Sequence, residues 1–238
     1  MSRAIVIARR ELTSYFYSPM AYVAMALFLG TTGYLFMQDM VPGQPASLRT
    51  LFNGMVWVLA FILPILSMGL LCNEKTNGTI ETLMTAPVSD TDVVLGKFIG
   101  SYLYFLILLA PTLLYVIVLS LYSRPEAGPI ISGYLGMLLV GGMFLAVGVF
   151  CSACTRSQVV AAVTAIAVLA LCTIVPYLIE RTTALSDFWR DVVKQAVFRR
   201  YADFSKGIID PANIVFFGAA TAVFMFLSVK VMEARRWR

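Results

Sequence analysis

Six stretches of this chain run for about twenty residues without an Asp, Glu, Lys or Arg: Pro19 to Met37, Leu51 to Cys72, Phe98 to Tyr122, Ile131 to Cys154, Gln158 to Ile179, and Ala212 to Val229. Each approaches the roughly 20 apolar residues that a helix needs to cross ~30 Å of hydrocarbon. The pattern predicts an all-α integral membrane protein, with six transmembrane helices in a single transmembrane domain over residues 1–238. The first run is too long for the apolar core of a signal peptide and lacks a cleavage site after it, so it is expected to be retained. Pro64, Pro111 and Pro176 lie inside three runs, where bends are tolerated if neighbours satisfy the freed carbonyls.

The segments between the runs have patterns of their own. From Ser2 to Phe16, Ile5, Ala8, Leu12 and Tyr15 recur at helical spacing, with Arg3, Arg10 and Thr13 elsewhere on the wheel. This predicts an amphipathic helix in the headgroup plane, broken at Ser18-Pro19 because proline lacks an N–H and restricts its predecessor. The Asn73 to Lys97 connection carries a turn signal at Asn77-Gly78, then a short helix from Thr79 to Thr85 stopped by Pro87. Glu81 falls in the first turn of that helix, where its dipole favours an acid. Ser89 and Asp92 have capping-box spacing at the start of the third span. Such a loop would pass a push on Ile80, Leu83 or Met84 to the second and third spans; an ordinary helical hairpin connection fits the spacing equally well. Between residues 180 and 210, Phe188, Val192 and Ala196, with Trp189, Val193, Val197 and Tyr201, form an apolar stripe behind a candidate N-cap, Ser186. One or two amphipathic helices are expected there, resting on the outer leaflet or dipping between spans.

Composition agrees with a bilayer: 60% of the 238 residues are hydrophobic and only 13% are charged, against roughly 25% charged in soluble domains. The net charge of +5 is spread over the ends of the apolar runs rather than clustered on one face, which argues against nucleic acid. An even number of spans puts both termini on one side. Arg3, Arg9, Arg10, Lys75, Lys97, Arg156, Lys230, Arg235, Arg236 and Arg238 then share a side, against Arg49 and Arg124 in the short opposite loops. The positive-inside rule places the termini in the cytoplasm, even though the 180–210 segment, then outside, carries Arg181, Arg190, Lys194, Arg199, Arg200 and Lys206 beside five acids.

The chemistry available is limited. There is no histidine, which excludes Ser-His-Asp triads and most catalytic zinc sites. Cys72, Cys151, Cys154 and Cys172 sit in or at the edge of apolar runs and read as small apolar residues; Cys151-x-x-Cys154 lacks the βαβ setting of a redox motif. Met37 and Met40 likewise read as apolar rather than as metal ligands, and no metal site is expected. No Asp, Glu, Lys or Arg lies inside a run, which argues against an ion-coupled pump. No G-x-x-x-x-G-K-[ST] phosphate loop is present, so the chain is not expected to be an enzyme, and any uphill work must draw on another subunit. Ala161-x-x-x-Ala165 and Gly142-x-x-x-Ala146 permit close helix approach and are read as packing within the chain.

The run Asn73-Glu74-Lys75-Thr76-Asn77-Gly78-Thr79-Ile80-Glu81-Thr82-Leu83-Met84-Thr85-Ala86-Pro87-Val88-Ser89, closing in Val94-Leu95-Gly96-Lys97-Phe98, resembles the segment between the second and third spans of ABC type-2 permeases. Ala8-Arg9-Arg10-Glu11-Leu12 followed by Ser18-Pro19 is similar to the entrance helix of that family. Phe204-Ser205-Lys206-Gly207-Ile208-Ile209-Asp210, with Asn213 and Phe216-Phe217, resembles the closing segment of its gliding-motility-associated branch. The resemblance implies a half-transporter of a bacterial inner membrane. Two permease chains, alike or paralogous, would pair with two soluble ABC ATPase subunits that bind ATP and Mg and drive export of a substrate the sequence does not identify. It assigns Glu74, Gly78, Thr79, Glu81, Thr82, Leu83 and Pro87 to the coupling element, with Glu81 a polar and Leu83 an apolar contact to the ATPase, and places Arg9, Arg10 and Glu11 on the membrane-interface helix. An alternative within the same family is a membrane anchor or mechanical transmitter for a cell-envelope machine that translocates no solute.

Overall fold

The computed structural model describes residues 3–40, 48–76, 89–122, 126–180 and 197–235. Among the described residues every regular element is a helix: α1 (Arg3–Tyr17), α2 (Pro19–Asp39), α3 (Arg49–Ser67), α4 (Cys72–Thr76), α5 (Asp90–Leu109), a 3-10 turn (Ala110–Thr112), α6 (Leu113–Tyr122), α7 (Ala127–Cys154), α8 (Gln158–Glu180), α9 (Val197–Ser205) and α10 (Pro211–Arg235). Among the described residues, five helical stretches are long and apolar enough to cross a membrane: Pro19–Asp39, Arg49–Thr76, Asp90–Tyr122, Ala127–Cys154 and Pro211–Ala234. The fifth predicted run also forms a helix, α8, of 23 residues.

Two of the predicted runs are interrupted. The second stops being helical at Ser67 and resumes at Cys72. Pro64 supplies no N–H, and the Ser67 hydroxyl donates back to the carbonyls of Leu63 (2.9 Å) and Pro64 (3.2 Å), which favours bending. The third begins earlier than its first apolar residue, at Asp90, because Ser89 caps it: the Ser89 hydroxyl oxygen accepts from the Asp92 N–H at 3.2 Å and donates to the Asp92 carboxylate at 2.6 Å. It then tightens into the 3-10 turn around Pro111 before α6.

The centre of the bundle is α7, which packs against α3, α5, α8, α9 and α10. Its span is 78% buried, against 17% for α10, so α7 meets protein on nearly all sides while α10 leaves most of its surface uncovered. Small residues permit this. A Cβ on Gly148 would lie 1.8 Å from the Ser67 oxygen, and one on Gly141 would lie 2.4 Å from the Phe105 ring. Ala146, Ala161 and Ala165 are all buried inside the chain, and Gly142 faces Tyr102 and Thr221. Both small-residue pairs therefore serve intramolecular packing.

At one end, α9 packs against α3 and α7. Val197 and Tyr201 of the predicted stripe are buried with Phe204, Phe198 stacks on Trp57 at 4.0 Å, and the Ser132 hydroxyl donates to the Phe204 carbonyl at 2.7 Å. The Tyr201 phenol is pushed well above its ordinary value by burial, with Tyr134 adding to the effect, and it donates to the Gly133 carbonyl. This part of the segment thus dips between helices; Ser186 to Ala196 lie outside the described residues.

At the other end, α1 lies along α5. Gly96 and Gly100 receive it: a Cβ at either would come within 2.8 Å of a main-chain carbonyl of α1, those of Ala4 and Ala8 respectively. The buried face of α1 is consequently Ala8 and Tyr15, with Ala4, Ile7, Glu11 and Leu12 partly covered. The expected apolar face is corrected at Ile5, which is 52% exposed: close backbone approach selects the alanines and rotates the helix away from a face set by its larger apolar residues. Tyr15 stacks on Tyr104 at 4.7 Å and donates to the Leu66 carbonyl at 2.9 Å. Burial first, then Glu11 and Tyr104, hold its phenol well above the usual value, so it remains a donor. Gly100→Val is expected to lift α1 from α5 and destabilise the protein by about 1–3 kcal/mol, read as a lowered unfolding midpoint of the purified chain; an unchanged midpoint would contradict this packing.

Candidate functional site

The end of the bundle where α1 meets α5 also contains α4, and a single lysine joins all three. Lys97, in the second turn of α5, places its Nζ 3.2 Å from Glu11 Oε2 of α1 and 2.9 Å from Glu74 Oε1 of α4. The lysine side chain is 5% exposed, Glu11 21% and Glu74 16%. The geometry follows from the neighbouring glycines. Gly96 and Gly100 draw α1 close enough for Glu11, whose Cβ approaches Gly100, to reach back to Lys97. An ammonium out of water requires such partners, since a buried charge left uncompensated is strongly destabilising.

The break between α3 and α4 is held from the opposite side. Ser152 of α7, fully buried, uses its one hydroxyl three times: the oxygen accepts from the N–H groups of Leu71 and Cys72, both at 3.1 Å, and the hydroxyl donates to the Met68 carbonyl at 2.8 Å. These are main-chain groups that an unbroken helix would have satisfied internally. Further ties run to the end of α7 and the start of α8. The Lys75 ammonium donates to the Ala153 carbonyl, the Thr76 hydroxyl to the Arg156 carbonyl at 2.8 Å, and the Gln158 amide to Asn73 Oδ1. The short α4 is thereby clamped between α7–α8 on one side and α1–α5 on the other. A displacement of the chain leaving Thr76 would be delivered to four helices at once.

Of the residues singled out in the sequence, the structure brings Glu11 and Glu74 together around Lys97. It leaves Arg9 and Arg10 exposed on the outer side of α1. Gly78, Thr79, Glu81, Thr82, Leu83 and Pro87 lie outside the described residues, as does the expected helix from Thr79 to Thr85. Sequence reasoning treated Lys97 as a solvated flank of an apolar run; the structure places it inside α5 and buries it. The available signal was Gly96-Lys97-x-x-Gly100, a lysine set in a small-residue pair that admits another helix. Ser152 carried no signal, because its partners belong to a break about eighty residues away in sequence. Among the described residues no group of three or more His, Cys, Asp or Glu side chains is placed to hold a metal ion.

Apolar helices of span length, packed around a glycine-rich central helix, define a multi-pass membrane protein. The chain matches the ABC-2 family transporter proteins over residues 5–236 and belongs to that family. The family supplies the membrane component of ABC complexes, which works with an ABC ATPase partner in a bilayer. No curated protein matches the chain.

Two measurements examine the clamp. Lys97→Met should leave two partly buried carboxylates facing each other and lower stability by up to about 3–5 kcal/mol, whereas Lys97→Met combined with Glu11→Gln and Glu74→Gln should recover most of the loss in unfolding experiments. Ser152→Ala should accelerate hydrogen exchange at the Leu71 and Cys72 amides relative to the amides of α3. About 1–3 kcal/mol is expected for each buried main-chain group left without a partner, and unaltered exchange at both amides would contradict the assignment.

Proposed function

We propose that this chain is the permease subunit of an ATP-driven ABC type-2 export complex in a bacterial inner membrane. The observation that carries the reading is the clamped α4, in a chain that belongs to the ABC-2 family. The segment following Thr76 would dock on a soluble ATPase subunit that binds ATP and Mg, with Glu81 as polar contact and Leu83 as apolar contact, and Gly78, Thr79, Thr82 and Pro87 shaping the same element. Closure of two ATPase subunits on nucleotide would push this element. Glu74, paired to Lys97, and Ser152, pinned to the α3–α4 break, would carry the motion into α1, α5 and α7. A tight polar linkage suits that task because packed, hydrogen-bonded elements transmit a displacement that a loose loop would absorb.

In this reading α8 is the fifth of six spans, both termini and α4 lie in the cytoplasm, and α9 lies on the outer side. A second permease chain, a copy or a paralogue, completes the unit. The absence of Asp, Glu, Lys and Arg from the six apolar runs agrees with an externally supplied energy source rather than ion coupling.

Glu81→Arg and Leu83→Asp should each abolish co-purification of the ATPase and its substrate-coupled hydrolysis while leaving the permease folded. Survival of both properties would remove the coupling role from this segment. In proteoliposomes holding the intact complex, ATP-dependent movement of solute is expected; an intact, ATP-hydrolysing complex that moves none of the candidate solutes would instead favour a mechanical transmitter.

A further inference from the structure

The outward side of α1 has no role in the clamp. Arg9 and Arg10 are exposed there, and among the described residues neither forms an ion pair. They share a groove with Val6, Thr13, Ser14 and Tyr17. Apolar side chains flank it: Val6 is 58% exposed, Phe16 42% and Tyr17 84%. α2 starts at Pro19, two residues after α1 ends, so this face sits at the level where the first span leaves the bilayer. Two uncompensated guanidinium groups among exposed aromatic and aliphatic side chains, at headgroup depth, complement a negatively charged membrane surface.

The groove has a neighbour. Ser14 also lines a crevice of about 230 Å³ enclosed by α1, α2, the α3–α4 break and the start of α8. Its polar wall consists of Glu11, Ser14, Ser18, Asn73 and Gln158. Glu11 is engaged by Lys97 and the Gln158 amide donates to Asn73 Oδ1, which leaves the Ser14 and Ser18 hydroxyls, the Asn73 amide N–H and the Gln158 carbonyl as the remaining polar partners. A basic groove thus adjoins a pocket built to hydrogen-bond a neutral polar group.

Resting on the reading that α1 lies on the cytoplasmic side, we propose that this composite site seats one acidic phospholipid of the inner leaflet. Its phosphate lies against Arg9 and Arg10, its acyl chains lie against the exposed apolar surface of α1 and α2, and its hydroxyl-bearing headgroup enters the Ser14–Ser18–Asn73–Gln158 crevice. Because the crevice wall includes Asn73, beside the Ser152-pinned break, and Glu11 of the ion cluster, occupancy stabilises the clamp.

The test uses the full purified chain without any ATPase, titrated with phosphatidylglycerol, phosphatidic acid or phosphatidylcholine and followed by native mass spectrometry and thermal unfolding. Phosphatidylglycerol should bind as one retained lipid and raise the unfolding midpoint, and phosphatidylcholine should do neither. Arg9→Gln with Arg10→Gln should weaken phosphatidylglycerol binding roughly 30-fold, as expected for two basic contacts to an anionic lipid, whereas Arg9→Lys with Arg10→Lys should retain most of it. Ser14→Leu, which fills the crevice mouth, should weaken phosphatidylglycerol more than phosphatidic acid, which lacks the head alcohol. Both arginines are exposed, so the variants should unfold normally in the absence of lipid. Equal affinity for phosphatidylglycerol and phosphatidylcholine overturns the site, as does an unchanged preference in the Arg9→Gln/Arg10→Gln variant or an equal effect of Ser14→Leu on both acidic lipids. If the double variant instead releases the ATPase subunit from the complex while lipid preference persists, this face is a protein contact and the proposal fails. Failure to find any ATPase would count against the exporter reading and leave the lipid result standing.

Discussion

An ammonium group removed from water has to bring counter-charge with it, and most of the geometry at one end of this molecule answers that requirement. Lys97 is fixed on α5, and its two carboxylate partners arrive from separate parts of the chain, Glu11 on α1 and Glu74 on α4. Three segments that share no main-chain hydrogen-bond ladder are therefore held in one arrangement by a cluster whose members cannot be withdrawn singly without leaving a buried charge exposed to apolar surroundings. The alanine-on-glycine contact between α1 and α5 gives the distance, and the ion pairs then choose the register. The same feature makes the cluster suited to transmit force, since a shift of any one element must be followed by the others or be opposed.

The break at the end of α3 shows the complementary strategy. Within an apolar environment an interrupted helix has main-chain groups that nothing nearby would satisfy. Ser152 resolves three of them with one hydroxyl and ties the broken segment to α7, the most enclosed helix of the bundle. Because Gly148 meets Ser67 one turn away, the crossing of α3 on α7 is both close and polar at this end. The opposite end relies on different physics: α9 is seated by aromatic stacking and by Ser132 and Tyr201 reaching main-chain carbonyls, with Arg200 held by Asn213 at 2.9 Å and lying over the Phe216 ring. Ion pairs join separate helices at the α1–α4–α5 end, whereas aromatic packing and hydrogen bonds, one of them from the Arg200 guanidinium, seat α9 at the far end.

Much of the architecture was legible in the residues alone, and for a definite reason. A charge-free run of about twenty residues has few alternatives in a bilayer, because its main chain must satisfy itself as a helix; the runs accordingly appear as helices, and capping at Ser89 could be read from local spacing. The candidate site was legible only in part. Glu11 and Glu74 could be singled out, but one was assigned to a membrane-interface helix and the other to a coupling loop, with nothing local to connect them. Lys97 looked like an interfacial flank since, in sequence, it directly precedes an apolar run. Its burial depends on α1 folding back over the glycines to either side of it.

Local pattern thus determined the helical membrane class, the position of the apolar segments, the amphipathic first helix and the capped start of α5, all of which depend on interactions within a few residues. Tertiary structure alone decided which face of α1 is buried, where the second span breaks, and that Lys97, Glu11, Glu74 and Ser152 act at a single place. Those outcomes depend on how closely two backbones approach and on which distant group is present to satisfy a buried charge or a freed amide, quantities that come into existence only when separate segments are packed together.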